Sequence, residues 1–183
     1  AALLFRPNAP FSLPLEPLGR FHGVKRRQDV RFVSESLTVL EDFGHHPTAI
    51  RGTLESLRRR FPGARLVAAF EPRSNTARTN VLQAEFTEAL GMADVALIGP
   101  VNRAERLRAD ERFDAPAVAA KIGSVHGREA AAFSSSASLL EWLQARVGYT
   151  GLTEAEPQVV IFCSNGSFDG IIERFADYCA AAS

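Results

Sequence analysis

At 183 residues the chain fits one domain of ordinary size with room for an appendage. Acidic and basic residues balance at 21 each, which removes the cationic excess that a phosphate backbone needs and excludes nucleic acid as the expected partner. No apolar run approaches the roughly 20 residues of a membrane span, and the Pro-rich stretch 1–17 lacks the layout of a secretory signal, so no membrane is expected and the chain reads as soluble and cytoplasmic. Cys163 and Cys179 are too few and too ill-spaced for a metal knuckle, and free thiols are the expectation in a reducing compartment.

Residues 1–27 show no clear period before the basic cluster Lys25-Arg26-Arg27 and read as a linker or the tail of a preceding domain. Residues 28–33 and 36–42 are rich in β-branched and aromatic residues around a Ser34-Glu35 turn, which predicts a hairpin or a linker strand followed by the first core strand. Pro47 suits a first helical position, and Ile50, Leu54, Leu57 and Phe61 recur at helical spacing until Pro62-Gly63 stops the helix. Residues 65–70 then form a short apolar run of the kind that fills a parallel sheet.

The helical period returns over 80–90, with Val81 on its apolar side and Gly91 as the expected C-cap, before a strand at 95–98. Residues 102–112 are charge-rich, and their arginines alternate with acids as on a solvated face. A helix over 114–125, a weak strand near 130–133, a helix over 136–147, a loop over 148–156, a strand over 158–163 and a closing helix over 169–181 complete the order. Strands separated by helices predict an α/β fold, a Rossmann-like, mostly parallel sheet with helices on both faces.

Three strand-to-helix turns carry the polar residues: Glu41-Asp-Phe-Gly-His-His-Pro47, Glu71-Pro-Arg-Ser-Asn-Thr76 and Ser164-Asn-Gly-Ser-Phe168. With parallel strands all three lie on one edge of the sheet, where ligands of open α/β sheets bind. His45 and His46 stand beside a helix N-terminus, suited to a carboxylate or phosphate; the plain alternative is one ring capping the helix and the other packing under the sheet. Asp42 reads as an acceptor for a vicinal diol or as a simple turn carboxylate. Arg73 offers a fork for a carboxylate and Asn75 a donor-acceptor pair for an amino-acid head group, unless both are ordinary loop residues. Cys163, at the end of an apolar strand, reads as inert core. No P-loop occurs, so any ATP phosphates are held mainly elsewhere.

Taken with Gly23-Val-Lys-Arg-Arg27, the order and spacing of these motifs resemble the C-terminal domain of the Mur ligases. Within that family Glu-Pro-Arg-Ser-Asn-Thr and Ser-Asn-Gly resemble the murein peptide ligases. These join L-alanyl-γ-D-glutamyl-meso-diaminopimelate to UDP-N-acetylmuramate in bacterial peptidoglycan recycling, using ATP and Mg²⁺. The resemblance spans about residues 20–182, departs from the family at Glu41, where an aspartate is usual, and implies a boundary near residue 28 between a central ATPase domain and this substrate-binding domain.

It implies that Arg27 and Asp42 meet ATP, and that Phe43, His45, His46, Arg73, Ser74, Asn75, Thr76, Ser164, Asn165 and Gly166 hold the incoming peptide. The P-loop, the bulk of the ATP and Mg²⁺ site and the UDP-sugar site would belong to the chain's central and N-terminal partner domains. The implied reaction passes through an acyl phosphate on the muramoyl carboxylate, which the peptide amine attacks; no residue of this domain is expected to be catalytic, and the domain alone is expected to be inactive. Two alternatives stand beside it: an L-alanine-adding Mur ligase, and a non-catalytic module that binds a nucleotide or muropeptide.

Overall fold

A computed structural model describes residues 24–147 and 157–182. Its strands are β1 (Asp29–Val33), β2 (Leu37–Asp42), β3 (Arg65–Phe70), β4 (Val95–Ile98), β5 (Glu129–Ala132) and β6 (Gln158–Cys163). Its helices are α1 (Pro47–Arg60), α2 (Gln83–Leu90), α3 (Ala115–His126), α4 (Ser136–Arg146) and α5 (Ile171–Ala182). The expectations for residues 1–23 and 148–156 lie outside the described residues.

The strands form one sheet in the order β1-β2-β6-β3-β4-β5. β1 runs antiparallel to β2 as the expected hairpin, and the remaining neighbours are parallel. Successive strand residues face opposite sides, and the burial follows: Leu40, Leu66, Ala68, Phe70 and Ile161 pack under α1, α2 and α3, whereas Val39, Val67, Ala69, Val160 and Phe162 pack under α4 and α5. The sheet is therefore covered on both faces, as the sequence predicts.

In α1 the side chains of Ile50, Leu54 and Leu57 are buried, each worth about 1.5–3 kcal/mol relative to exposure. Pro47 occupies the first turn, His46 Nδ1 accepts from the Thr48 amide at 3.3 Å, and Arg58, Arg59 and Arg60 fill the last turn, where the dipole favours cations.

α2 starts later than predicted, because Asn80–Leu82 winds as a 3₁₀ turn. That tighter winding leaves Val81 72% exposed, off the apolar side assigned to it. Gly91 does end α2, with φ −62° rather than a left-handed cap. Its missing side chain has another cause: a Cβ there would lie 2.4 Å from Cδ2 of His126.

Residues 102–112 contain two short 3₁₀ turns, Ala104–Arg106 and Ala109–Glu111. Asp114 then caps α3 by accepting from the Ala117 amide at 3.0 Å, and Gly127 closes it at φ 62°.

β6 lies between β2 and β3, and Asp42, Cys163 and Phe70 stand in register across the three strands. The turns that follow them consequently start at one level, and two amide bonds continue the ladder past the strand ends: Ser164 N to Asp42 O at 3.0 Å and Glu71 N to Cys163 O at 3.1 Å.

Candidate functional site

The turn after β2 is built on buried carboxylates. Asp42 is 3% exposed and accepts from the Gly44 amide at 2.6 Å, the Gln28 amide at 3.0 Å and Arg27 Nη1 at 3.4 Å. A carboxylate has about four acceptor positions, so one remains, and the half-exposed Arg27 is its loosest partner. Next to it Glu41 accepts from Arg26 Nε, and from Arg31 Nε at 2.9 Å. That bond holds the Arg31 guanidinium above its ordinary pKa. An aspartate, one methylene shorter, would not extend as far toward both arginines, which gives a physical reason for glutamate here.

Arg26 joins this turn to the one after β6. Its Nη2 donates to the Ser164 carbonyl at 3.0 Å and to the Gly166 carbonyl, and its guanidinium lies 5.2 Å from the Phe43 ring centroid. Arg27 lies 5.8 Å from the same ring, and His45 meets it edge-on at 5.3 Å. Two guanidinium groups and an imidazole thus frame one phenyl ring, which adds cation–π contacts to the ion pairs that hold both arginines.

The turns after β3 and β6 are joined by Glu71, which is 3% exposed. It accepts from Ser164 Oγ and, at 3.2 Å, from Arg73 Nη1. Ser164 Oγ in turn accepts from the Gly166 amide at 2.8 Å. Arg73 lies across Gly166 so closely that a Cβ there would stand 2.3 Å from Nε. Beside this cluster Asn165 Oδ1 is buried with no hydrogen-bond partner among the described residues.

A cleft of about 700 Å³ opens on the outer side of the β2 turn, lined by Arg27, Asp42, Thr53 and Arg60 among others. Arg27 and Asp42, assigned together from the sequence, therefore share one cavity. Phe43, His45, Arg73, Asn165 and Gly166 gather at the neighbouring turns. The remaining assigned residues are used locally: Ser164 is fully buried against Glu71, Ser74 Oγ accepts from the Ala77 amide at 3.1 Å, Asn75 Oδ1 accepts from Arg78 at 2.8 Å, and the Thr76 carbonyl accepts from Thr79 Oγ1 at 2.9 Å. His46 adopts the capping alternative.

A family model described as Mur ligase, glutamate ligase domain, matches residues 20–166. The chain belongs to this family. Among curated relatives, the UDP-N-acetylmuramate–L-alanine ligase of Desulforapulum autotrophicum is 37% identical over 100 residues, 55% of this chain and 22% of that one. The UDP-N-acetylmuramate–L-alanyl-gamma-D-glutamyl-meso-2,6-diaminoheptandioate ligase of Escherichia coli is 42% identical over 87 residues, 46% of this chain and 19% of that one. A murein peptide ligase from Psychrobacter arcticus superposes with a TM-score of 0.65 at 25% identity, covering 90% of this chain and 32% of that structure. The chain thus spans about a fifth of the length of these curated relatives.

In this Mur ligase domain the turns named from sequence lie where the geometry gathers polar side chains. Three residues that hold them together were missed: Arg26, Glu41 and Glu71. The basic cluster 25–27 and the acids at the strand ends were visible signals, but their partners lie in other turns.

Proposed function

We propose that this domain holds the acceptor for an ATP-dependent ligase that joins L-alanyl-γ-D-glutamyl-meso-diaminopimelate to UDP-N-acetylmuramate in peptidoglycan recycling. The observation that carries the reading is the guanidinium of Arg73 across Gly166, with the unpartnered buried Asn165 Oδ1 one residue away. A guanidinium binds a carboxylate, and a buried acceptor left empty costs about 1–3 kcal/mol that an incoming N–H would recover. Together they suit a group that carries both an acid and an amine or amide.

His45 fits the same task. Its Nδ1 lies 2.9 Å from the Phe43 carbonyl, and since a carbonyl only accepts, Nδ1 is the donor in that bond, so that the neutral tautomer that makes it would turn Nε2 to the attacking amine as an acceptor. Fixing the amine beside the donor carboxylate raises its effective concentration, which is the domain's contribution to rate. ATP, with Mg²⁺, supplies activation of the muramoyl carboxylate. Arg27 would meet its phosphates and the remaining acceptor position of Asp42 would meet its ribose, within the cleft they share; the central and N-terminal domains would hold the rest.

L-alanine as acceptor is the second reading, because relatives such as the one from Desulforapulum autotrophicum are named for it. Against it stands the second turn, Glu71-Pro-Arg-Ser-Asn-Thr76, which resembles the peptide-adding type. An NMR titration of the chain with the tripeptide, L-alanine and ATP separates them. Shifts at residues 43–48, 73–76 and 164–166 from the tripeptide at lower concentration than from L-alanine support the peptide reading; the reverse order selects the L-alanine ligase.

A further inference from the structure

A second cleft, of about 620 Å³, lies at the carboxyl ends of β4 and β5, on the same sheet edge as the turns but two strands further along. Pro100, Val101, Phe113, Ala132 and Phe133 make it largely apolar, and Arg112 and Asp114 stand in its wall. Its volume falls in the range of small-molecule sites, roughly 300–1,000 Å³, and so does its pattern of apolar walls with a few polar groups. Gly99 forms part of it, and a Cβ there would meet the Phe168 ring at 2.6 Å, so the wall is held close by packing.

The loops that wall the cleft are tied to the turn that carries Arg73. The Asn102 amide donates to the Pro72 carbonyl at 3.0 Å, and the Phe113 amide to the Arg78 carbonyl at 2.9 Å. Arg112 differs from the other arginines of its run, which are exposed. It is half-buried, donates from Nε and Nη2 to the Leu107 carbonyl at 3.0 and 2.8 Å, and pairs with no carboxylate among the described residues. The carboxylate in the same wall, Asp114, caps α3 through the Ala117 amide and does not pair with Arg112, and a cation left unpaired in a mostly apolar wall is suited to an anionic ligand group.

We propose that this cleft takes the distal residue of an acceptor peptide whose amine end sits at Asn165 and whose γ-linked second residue offers its free α-carboxylate to Arg73, with Arg112 meeting a carboxylate at the far end. The proposal rests on the peptide-ligase reading and adds the place where the peptide is measured for length. Neighbouring strands lie about 4.8 Å apart, so from between β6 and β3 to between β4 and β5 is about 10 Å. An extended chain covers roughly 3.3–3.6 Å per residue. A single alanine cannot span that distance; a tripeptide does.

The test is an NMR and calorimetric titration of the whole chain with L-alanine, L-alanyl-γ-D-glutamate and L-alanyl-γ-D-glutamyl-meso-diaminopimelate. The tripeptide is expected to shift the amides of Val101, Phe133 and Ser134 together with Asn165 and Gly166, and L-alanine only the latter pair. Arg112→Ala, and Ser134→Trp on the exposed rim, are each expected to reduce the preference for tripeptide over L-alanine by about tenfold or more. Tripeptide shifts confined to the turns, with that preference unchanged in both variants, overturn the cleft assignment and leave the peptide reading standing. Tighter binding of L-alanine than of tripeptide, or no response to millimolar tripeptide, overturns the peptide reading and the cleft assignment with it.

Discussion

Ser164 Oγ donates a hydrogen bond to Glu71 across 93 positions of sequence, and both residues are buried at the point where β6 meets β3. Through this bond the last turn sets the position of the second one, because Glu71 also receives Arg73 Nη1 at 3.2 Å. Replacing Glu71 by Gln keeps the shape and removes the charge. Glu71→Gln is expected to lower stability by about 1–3 kcal/mol, the cost of a poorly satisfied buried group. A double-mutant cycle with Ser164→Ala in urea unfolding should give a coupling of roughly 0.5–3 kcal/mol. Additive effects would mean that the two side chains do not share a bond.

Arg26 is the second fastener, with two carbonyls and Glu41 on one guanidinium. A lysine carries the charge but lacks the planar fork that reaches two acceptors in fixed directions. Arg26→Lys should therefore resemble Arg26→Ala, each losing about 2 kcal/mol in urea unfolding, and each disordering the Ser164–Gly166 turn in hydrogen exchange. Full rescue by lysine would show that charge alone matters there.

The elements were legible in the sequence wherever the apolar period was strong. Ile50, Leu54 and Leu57 mark α1, and the run 65–70 is β3 residue for residue. β5 was faint because it is a four-residue edge strand of Glu and Ala, mostly half-buried, whose side chains carry little pattern. The placement of β6 between β2 and β3 depends on pairing with strands that lie about 120 and about 90 residues earlier, which no local period encodes. The site divided the same way. Motif residues stood out as polar breaks after strands, whereas Arg26 could not be singled out from Lys25 and Arg27, since its carbonyl partners lie 138 and 140 residues away.

The cysteines give a pH prediction. Burial pushes the Cys179 thiol up to about 11 from an ordinary 9.0, and raises Cys163 further, with Asp42 adding to the effect. Below pH 9 both the folded and the unfolded chain hold these protons. Above it the unfolded chain releases them first, so the stability carried by the protonated Cys179 thiol is lost as pH rises from 9 through about 11, and that carried by Cys163 goes on falling beyond it. Urea midpoints should fall over that window, and Cys163→Ala with Cys179→Ala should flatten the fall. At pH 8 a thiol reagent should label the native chain far more slowly than the unfolded one, since the thiolate is the reactive form.

Gly166 offers the sharpest separation of binding from folding. Its backbone does not occupy the left-handed region, so alanine is sterically acceptable to the chain itself. The added methyl would instead stand 2.3 Å from Arg73 Nε and 2.4 Å from Cδ. Arg73 is a long, 35% exposed side chain that can move aside, so Gly166→Ala is expected to change stability by less than about 1 kcal/mol, the scale of a tolerated surface substitution. Moving the guanidinium away from Gly166 removes the carboxylate fork, and a charge-assisted bond is worth about 1.5–3 kcal/mol. Tripeptide affinity should fall by about tenfold or more in calorimetric titration, matching Arg73→Ala. A variant that binds as the parent does would detach Arg73 from the acceptor site. A large stability loss would instead show that the Arg73 to Gly166 contact holds the fold.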